Sequence, residues 1–182
     1  MSKELSTVVS TTLFKSTTDG LSGDRVLKSS GGTLSWITDP TIAYASLYAG
    51  VSTDFTLTAA TPLTLSSATM WSTSANKNVT VDLTAGELTA SVAGVYQLAS
   101  WLSLEADTIS TLISIRYSIN GVPSPTALKG LAKDVGDTNN LSASLIISLG
   151  ANDTVALEIE TDKDAVVTVT DAGLTLHKID EV

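Results

Sequence analysis

The longest alternation of apolar and polar residues in this chain lies between Gly86 and Asp107. A period of two places successive side chains on opposite faces of an extended strand. A shorter alternating run from Leu88 to Val92 comes before it, and Ala93-Gly94 between the two runs can form a turn. The pattern predicts two strands and a tight connection. The second is the central strand of the core, and its buried face carries Tyr96, Leu98, Leu102 and Leu104.

Similar short alternations recur along the rest of the chain, and no helical period interrupts them. About ten strands are predicted, which is typical of a β-sandwich. Asn120-Gly121 follows one of these runs and predicts a hairpin, because both residues accept a positive φ. Residues 67–78 and 122–140 are predicted to be loops. Trp71, in the first loop, is interpreted as covering one end of the sandwich, with a contact site as the alternative.

Two segments resemble the signatures of the C1q/TNF-like jelly roll. The first is the pattern G-x-[FL]-x-[AV]-x-x-x-G-x-Y, which this chain meets with Gly86, Leu88, Ala90, Gly94 and Tyr96. The second is x-L-x-L-x-x-G-D-x-V-x-L, met with two extra residues before the aspartate by Leu145, Leu149, Gly150, Asp153, Val155 and Leu157. The resemblance spans residues 42–179. It implies an all-β jelly-roll β-sandwich, with an immunoglobulin-like sandwich as the alternative.

The strand predicted at Thr41–Tyr48 is apolar on both faces, so both faces should be covered. In the family that this chain resembles, the first strand lies in the inner sheet with its back toward the three-fold axis of a trimer. Trp101 lies on the otherwise polar side of the central strand. The resemblance therefore implies a homotrimer, and the predicted interface residues are Ile42, Tyr44, Leu47, Tyr48 and Trp101.

Residues 1–40 are polar and glycine-rich, and their apolar residues are too scattered to form a core. The run GDRVLKSSGGTLSWITD is similar to a short motif of phage tail fibres and their adaptors, G-x-V-L-x-x-x-x-x-x-L-x-W. That resemblance implies a small β-turn unit that packs against copies in neighbouring subunits; the alternative is a linker whose Trp36 docks on its own domain. We predict an extended attachment arm at 1–40 and a jelly-roll domain at 41–182. Virion attachment is assigned to Leu13, Phe14, Val26, Leu27, Leu34, Trp36 and Ile37.

Acidic residues outnumber basic ones by 19 to 10, which gives a net charge of −9. Such a chain repels phosphates, so neither nucleic acid nor an anionic membrane is an expected partner. No cysteine is present. The first fifteen residues lack the apolar run of a signal peptide, and no run approaches the ~20 apolar residues of a membrane span. The expected site of synthesis is a cytoplasm, without entry into a secretory route.

No enzymatic constellation is recognisable. His177 is the only histidine, and no G-x-S-x-G elbow accompanies it, so it is predicted to be structural. One histidine without cysteine excludes the usual zinc sets. Calcium could bind clustered acids, although solvated loops are the preferred interpretation; the clusters are Asp134 with Asp137, and Glu160, Asp162, Asp164 and Asp171. We predict a protein that is not an enzyme and that uses no cofactor.

Three functions are compatible with these observations. The preferred one is a structural virion protein of a tailed bacteriophage, a trimeric capsid cement or decoration protein held on the capsid surface by its N-terminal arm. Its partners would be itself and the major capsid protein or another virion protein. The second is the receptor-binding tip of a head or tail fibre that recognises a host glycan or protein. The third is a host-encoded trimeric adhesion or signalling module. An extension of only ~40 residues, at most ~140 Å long, favours the first.

Overall fold

The computed structural model describes residues 25–30, 33–38, 42–67 and 69–180. All regular structure within these ranges is β-strand. The chain divides into two units, Met1–Asp39 and Pro40–Val182, each of which is described by itself.

The described part of the first unit is a β-hairpin. Strand β1 (Arg25–Ser30) pairs antiparallel with β2 (Thr33–Thr38) across the Gly31-Gly32 connection. Its register aligns Leu27 with Trp36 and Val26 with Ile37. The motif found in the sequence therefore forms six consecutive cross-strand pairs, as expected of a β-turn unit.

The second unit contains two antiparallel sheets of seven strands each. Sheet I has the order β14-β10-β16-β3-β6, with β4 paired to β16 and β7 paired to β3. Its strands are β3 (Tyr44–Ala49), β4 (Thr53–Leu57), β6 (Trp71–Ser72), β7 (Asn76–Lys77), β10 (Gly94–Ala106), β14 (Asn139–Leu149) and β16 (Ala165–Asp180).

Sheet II has the order β12-β11-β15-β9-β8, with β13 paired to β11 and β5 paired to β15. Its strands are β5 (Leu63–Thr64), β8 (Val79–Asp82), β9 (Glu87–Ala90), β11 (Thr111–Ile119), β12 (Val122–Pro123), β13 (Leu128–Ala132) and β15 (Thr154–Thr161). Buried side chains from both sheets form one core between them.

The stretch predicted to be the central strand is β10, which lies between β14 and β16. Its inward positions alternate strictly with half-buried or exposed ones. Tyr96, Leu98, Leu102 and Leu104 are buried as predicted. The Tyr96 hydroxyl donates a hydrogen bond of 2.5 Å to the carbonyl of Val92, so the polar end of this core residue is satisfied.

The hairpin prediction at Asn120-Gly121 is confirmed. Asn120 (φ 52°) and Gly121 (φ 74°) join β11 to β12 with Ile119 opposite Val122, as a hairpin with positive φ at both turn residues requires. In the second jelly-roll signature, Asn152 adopts φ 73° in the connection from β14 to β15, which lie in different sheets.

Other predictions about local structure were wrong. Residues 122–140 contain β12 and β13, and residues 67–78 contain the short strands β6 and β7. The chain from Ala165 to Asp180 is one strand, β16, which pairs with β10 with a shift of register between Ser103 and Leu104. The interpretation of Trp71 is confirmed: it is 3 % exposed, and its indole N–H donates to the Leu65 carbonyl at 2.7 Å.

Candidate functional site

The outer face of sheet I carries a patch of exposed aromatic residues. Trp101 on β10 is opposite Gly173 on β16, which in turn is opposite Tyr48 on β3. Trp101 and Tyr48 are each 39 % exposed, although they lie on interior strands of the sheet. This face of the sandwich therefore presents large apolar surface where a solvated sheet would carry polar side chains.

The position of the Trp101 indole explains why Gly173 is a glycine. A Cβ atom at position 173 would overlap the six-membered ring of Trp101. The indole thus lies flat against the backbone of β16, in space that only glycine leaves open. A glycine inside a strand lowers the stability of the folded domain. Here the glycine allows the Trp101 ring to be held in one position on the surface.

Tyr44 forms a second row across the same face. It lies opposite His177 on β16, and His177 lies opposite Gln97 on β10. Tyr44 is 36 % exposed. The three predicted interface residues Tyr44, Tyr48 and Trp101 therefore share one face, and Ile42, just before β3, is half-buried. We call Tyr44, Tyr48, Trp101 and Gly173 the aromatic patch.

Leu47 does not belong to this face. It lies on the opposite side of β3 and is 0 % exposed within the core. Both faces of this strand carry apolar residues, but one of the two faces packs inside the core of the sandwich. Because a side chain without exposed surface cannot contact a partner, Leu47 is assigned to the core and removed from the interface.

The predicted attachment residues are only partly described. Val26, Leu27, Leu34, Trp36 and Ile37 lie in β1 and β2, where the register brings four of them into the pairs Leu27–Trp36 and Val26–Ile37. Leu13 and Phe14 lie outside the described residues. The hairpin concentrates the apolar part of the motif in a short two-stranded ribbon.

The residues examined for catalysis and metal binding are dispersed. His177 is exposed among Gln97 and Tyr44, neither of which is a carboxylate or a nucleophile of a triad. Within the described residues, no three His, Cys, Asp or Glu side chains are grouped closely enough to hold a metal ion.

Several of the clustered acids cap backbone amides instead. Asp162 accepts from the Leu112 amide at 2.8 Å, Asp164 accepts from Ala59 at 2.8 Å, and Asp137 accepts from Asp134 at 3.0 Å. Glu160 pairs with Arg116. Loop structure therefore explains the positions of Asp137, Asp162 and Asp164, and an ion pair from strand β15 explains that of Glu160.

A hydrogen-bonded pair of hydroxyl groups, which the sequence pattern did not reveal, joins the two sheets through the core near β14. Ser100 faces inward on β10, where its neighbours on that face are leucines, and its hydroxyl lies 3.0 Å from the hydroxyl of Tyr117 on β11. The Tyr117 hydroxyl also donates to the Ala143 carbonyl at 3.1 Å. Burial raises the pKa of Tyr117, and the hydrogen bond with Ser100 opposes this shift.

A cavity of about 210 Å³ opens beside this group, between the edge of β14 and the chain from Ser124 to Leu128. It exists because Ser100 and Ala143, opposite each other on β10 and β14, are small residues on faces otherwise rich in leucine and isoleucine. An alternating pattern shows which side chains are apolar but not how large they are. Only a comparison of side-chain sizes on neighbouring strands could therefore have indicated this cavity.

Comparison with known proteins identifies the fold. No family model matches this sequence, and no curated protein matches it. The chain is similar in structure to the Eiger TNF of S. frugiperda, with a TM-score of 0.56 at 10 % identity, covering 78 % of this chain and 95 % of that one. It is also similar to the globular domain of the zebrafish complement 1qA protein, with a TM-score of 0.53 at 15 % identity, covering 78 % and 99 %. The predicted C1q/TNF-like jelly roll is therefore confirmed, in preference to an immunoglobulin-like sandwich.

Proposed function

We propose that this chain is a non-enzymatic structural protein that associates as a homotrimer through the outer face of sheet I. The observation that carries the proposal is the Trp101 indole fixed against Gly173 beside Tyr48. Exposed aromatic side chains held rigidly are typical of interface anchors, since little conformational freedom remains to be lost on association. A partner surface would also remove their apolar area from water.

The stoichiometry of three follows from the resemblance found in the sequence, which implies a three-fold axis behind this sheet. Tyr44, Tyr48 and Trp101 are the proposed anchors, and Ile42 is proposed to lie at the margin. A ring with three-fold symmetry uses heterologous contacts, so the aromatic patch meets a different surface of the next subunit.

We further propose that the trimer is a virion protein of a tailed phage, a cement or decoration protein at the capsid surface attached by residues 1–40. The support is the fibre-like motif at 23–39, whose described part is the β1–β2 hairpin. A two-stranded ribbon is marginal in water by itself, so packing against other chains would stabilise it. Its proposed partner is the major capsid protein or another protein of the particle.

The attachment proposal is tested with a truncated protein that begins at Pro40. It should fold and trimerise like the full chain but fail to bind phage particles that lack the native protein, as measured by co-sedimentation. Full-length protein carrying Trp36→Ala is the matched variant, and Ile109→Ala, at an exposed residue outside the arm, is the control. If the truncated protein decorates the particles as well as the full chain does, the arm is not the attachment site.

Antibody labelling of intact particles tests the proposed location. Label over the head shell is expected. Label confined to the tail tip would contradict the decoration role and favour the receptor-binding alternative.

A further inference from the structure

The edge of sheet I formed by β14 lacks the usual protection of an exposed strand. β14 pairs with β10 on one side, and no strand among the described residues pairs with its other side. Its sequence, NNLSASLIISL, contains neither a charge nor a proline, and natural edge strands use charges, prolines, bulges or short length to prevent pairing. The part of this edge from Ser142 onward, beyond the residues that β13 flanks, forms a template for another extended chain.

Other strands at the edges of the two sheets are protected. The outermost strands β6 and β12 are only two residues long, and β8 carries Asp82. β13 runs near the start of β14 and carries Lys129. Among the edge strands of the described residues, β14 is therefore the one that lacks such protection. Its Ile146 is also 63 % exposed.

Main-chain groups of β14 point toward this free edge. The Lys178 amide donates to the Ala43 carbonyl, so the main-chain groups of its β10 partner Tyr96 point the other way, toward β14. In an antiparallel ladder the amide and carbonyl of one residue point to the same side, and the side alternates with each residue. The main chain of Ala143, opposite Ser100, therefore faces β10, and the main-chain groups of Ser142 and Ser144 are directed outward beside the 210 Å³ cavity.

The cavity suits an uncharged, apolar side chain. Its apolar lining includes Ile115, Leu145 and Leu157, and Ser124 and Thr126 also line it. No carboxylate lines it in a protein of net charge −9, and its one cation, Arg116, is paired with Glu160. Leu128, another lining residue, is 36 % exposed.

We propose that the β14 edge and this cavity form a docking site for an extended, uncharged peptide segment. The segment adds as a strand beside Ser142–Ile147, forms main-chain hydrogen bonds with Ser142 and Ser144, and places one apolar side chain in the cavity. Main-chain pairing supplies affinity in this mode of recognition, and the pocket supplies selectivity. The proposal rests on the edge and the cavity and does not depend on the aromatic patch or on trimer formation.

The test uses the full-length protein and a fluorescently labelled, end-blocked peptide of sequence TVTLTVT. Anisotropy should show saturable binding that is insensitive to salt, because no charges take part. Two altered peptides should bind at least about tenfold more weakly: one with alternate backbone amides N-methylated, and one with aspartate in place of the central leucine. Failure of TVTLTVT to bind, or equal binding of either altered peptide, overturns the proposal.

Protein variants locate the site. Ala143→Leu fills the cavity, and Ser144→Pro removes an outward amide at an edge position where proline is tolerated; each should weaken binding by about tenfold or more. Ala93→Leu, at an exposed residue before β10, is the matched control and should change binding less than about twofold. Unchanged binding to Ala143→Leu, which introduces no backbone constraint, contradicts the site even if Ser144→Pro fails to fold.

Hydrogen exchange distinguishes an edge that is free to bind a peptide from an edge that a second copy of the chain already covers. In protein without peptide, the Ser142 and Ser144 amides should exchange quickly and become protected when the peptide is added. Protection equal to that of β10 amides before peptide is added would show that another subunit occupies the edge, and the proposal would be wrong. The same measurement on Trp101→Ala keeps this outcome separate from failure of the trimer, because the edge should behave identically in that variant.

Discussion

The hydroxyl groups of Ser100 and Tyr117 lie 3.0 Å apart and join the two sheets through the core. Tyr117→Phe removes this contact and the bond to the Ala143 carbonyl while keeping the ring. We expect a loss of about 1–2 kcal/mol in the free energy of unfolding, because the Ser100 hydroxyl loses its partner inside the protein. Urea unfolding measures the loss, and Ser100→Ala in the Tyr117→Phe background should cost little more. A large additional loss in the double variant would contradict this coupling.

Alkaline stability should depend on the same tyrosine. Burial raises the pKa of Tyr117 in the folded state, so its contribution is complete below the unfolded pKa near 10 and is lost as pH rises through the folded value. Burial also raises the pKa of Tyr96. Stability measured from pH 9 to 11.5 should fall, and Tyr117→Phe should fall less steeply than the unmodified protein. Identical slopes would show that Tyr117 ionises as freely as in the unfolded chain.

Gly173 and Trp101 should be strongly coupled in a double-mutant cycle. Gly173→Ala in the unmodified protein places a methyl group where the indole lies, so it should destabilise the domain by about 1–3 kcal/mol. In the Trp101→Ala background the space is open, and alanine should be neutral or stabilising by about 0.5–1 kcal/mol because glycine disfavours strands. Chemical unfolding of the four proteins gives the coupling. Additive effects would show that the indole does not lie against β16.

Asn120 and Asp153 form a clip, a set of hydrogen bonds that joins the β11–β12 hairpin to the connection between β14 and β15. The Asn120 side-chain amide donates to Asp153 at 2.9 Å and its oxygen accepts from the Thr154 amide at 2.9 Å, while Asp153 also accepts from the Gly150 amide at 2.7 Å. These bonds, led by that from Asn120, lower the pKa of Asp153. Its contribution is therefore present above the unfolded pKa and lost as pH falls through the folded one.

The clip predicts the behaviour of Asn120→Gly, which keeps the positive φ without the side chain. The pKa of Asp153, followed by NMR titration of its carboxyl carbon, should rise in this variant, and stability should vary less with pH in acid. The unmodified protein is the reference. An unchanged Asp153 pKa would exclude Asn120 as its main perturbing partner.

The alternation of apolar residues was sufficient to predict β10 and its buried face, and the hairpin at Asn120-Gly121. These elements have one face in the core, which is the condition under which a period of two is informative. The segment 122–140 was taken for a loop because Pro123, Pro125 and its glycines suggested turns. β13 nevertheless forms there, because pairing with β11 outweighs weak local preference.

The candidate site was harder to predict for a related reason. Trp101 was recognised because it interrupts a polar face, but the match between its ring and Gly173 depends on register between residues 72 positions apart. The assignment of Leu47 to the interface was wrong because both faces of its strand are apolar. The sequence then does not show which face packs against the core. The free edge of β14 depends on strand order, which no local pattern contains.

The central claim is that the aromatic patch holds a homotrimer together, and sedimentation equilibrium of the purified full chain at micromolar concentration tests it most directly. The unmodified protein should have three times the mass of the 18.8 kDa chain. Trp101→Ala should shift the equilibrium toward monomer while its circular dichroism and unfolding remain near normal. Tyr96→Ala, in the core, should instead cost about 3–5 kcal/mol of folding stability. A monomer in the unmodified protein, or a Trp101→Ala trimer of unchanged affinity, would contradict the account.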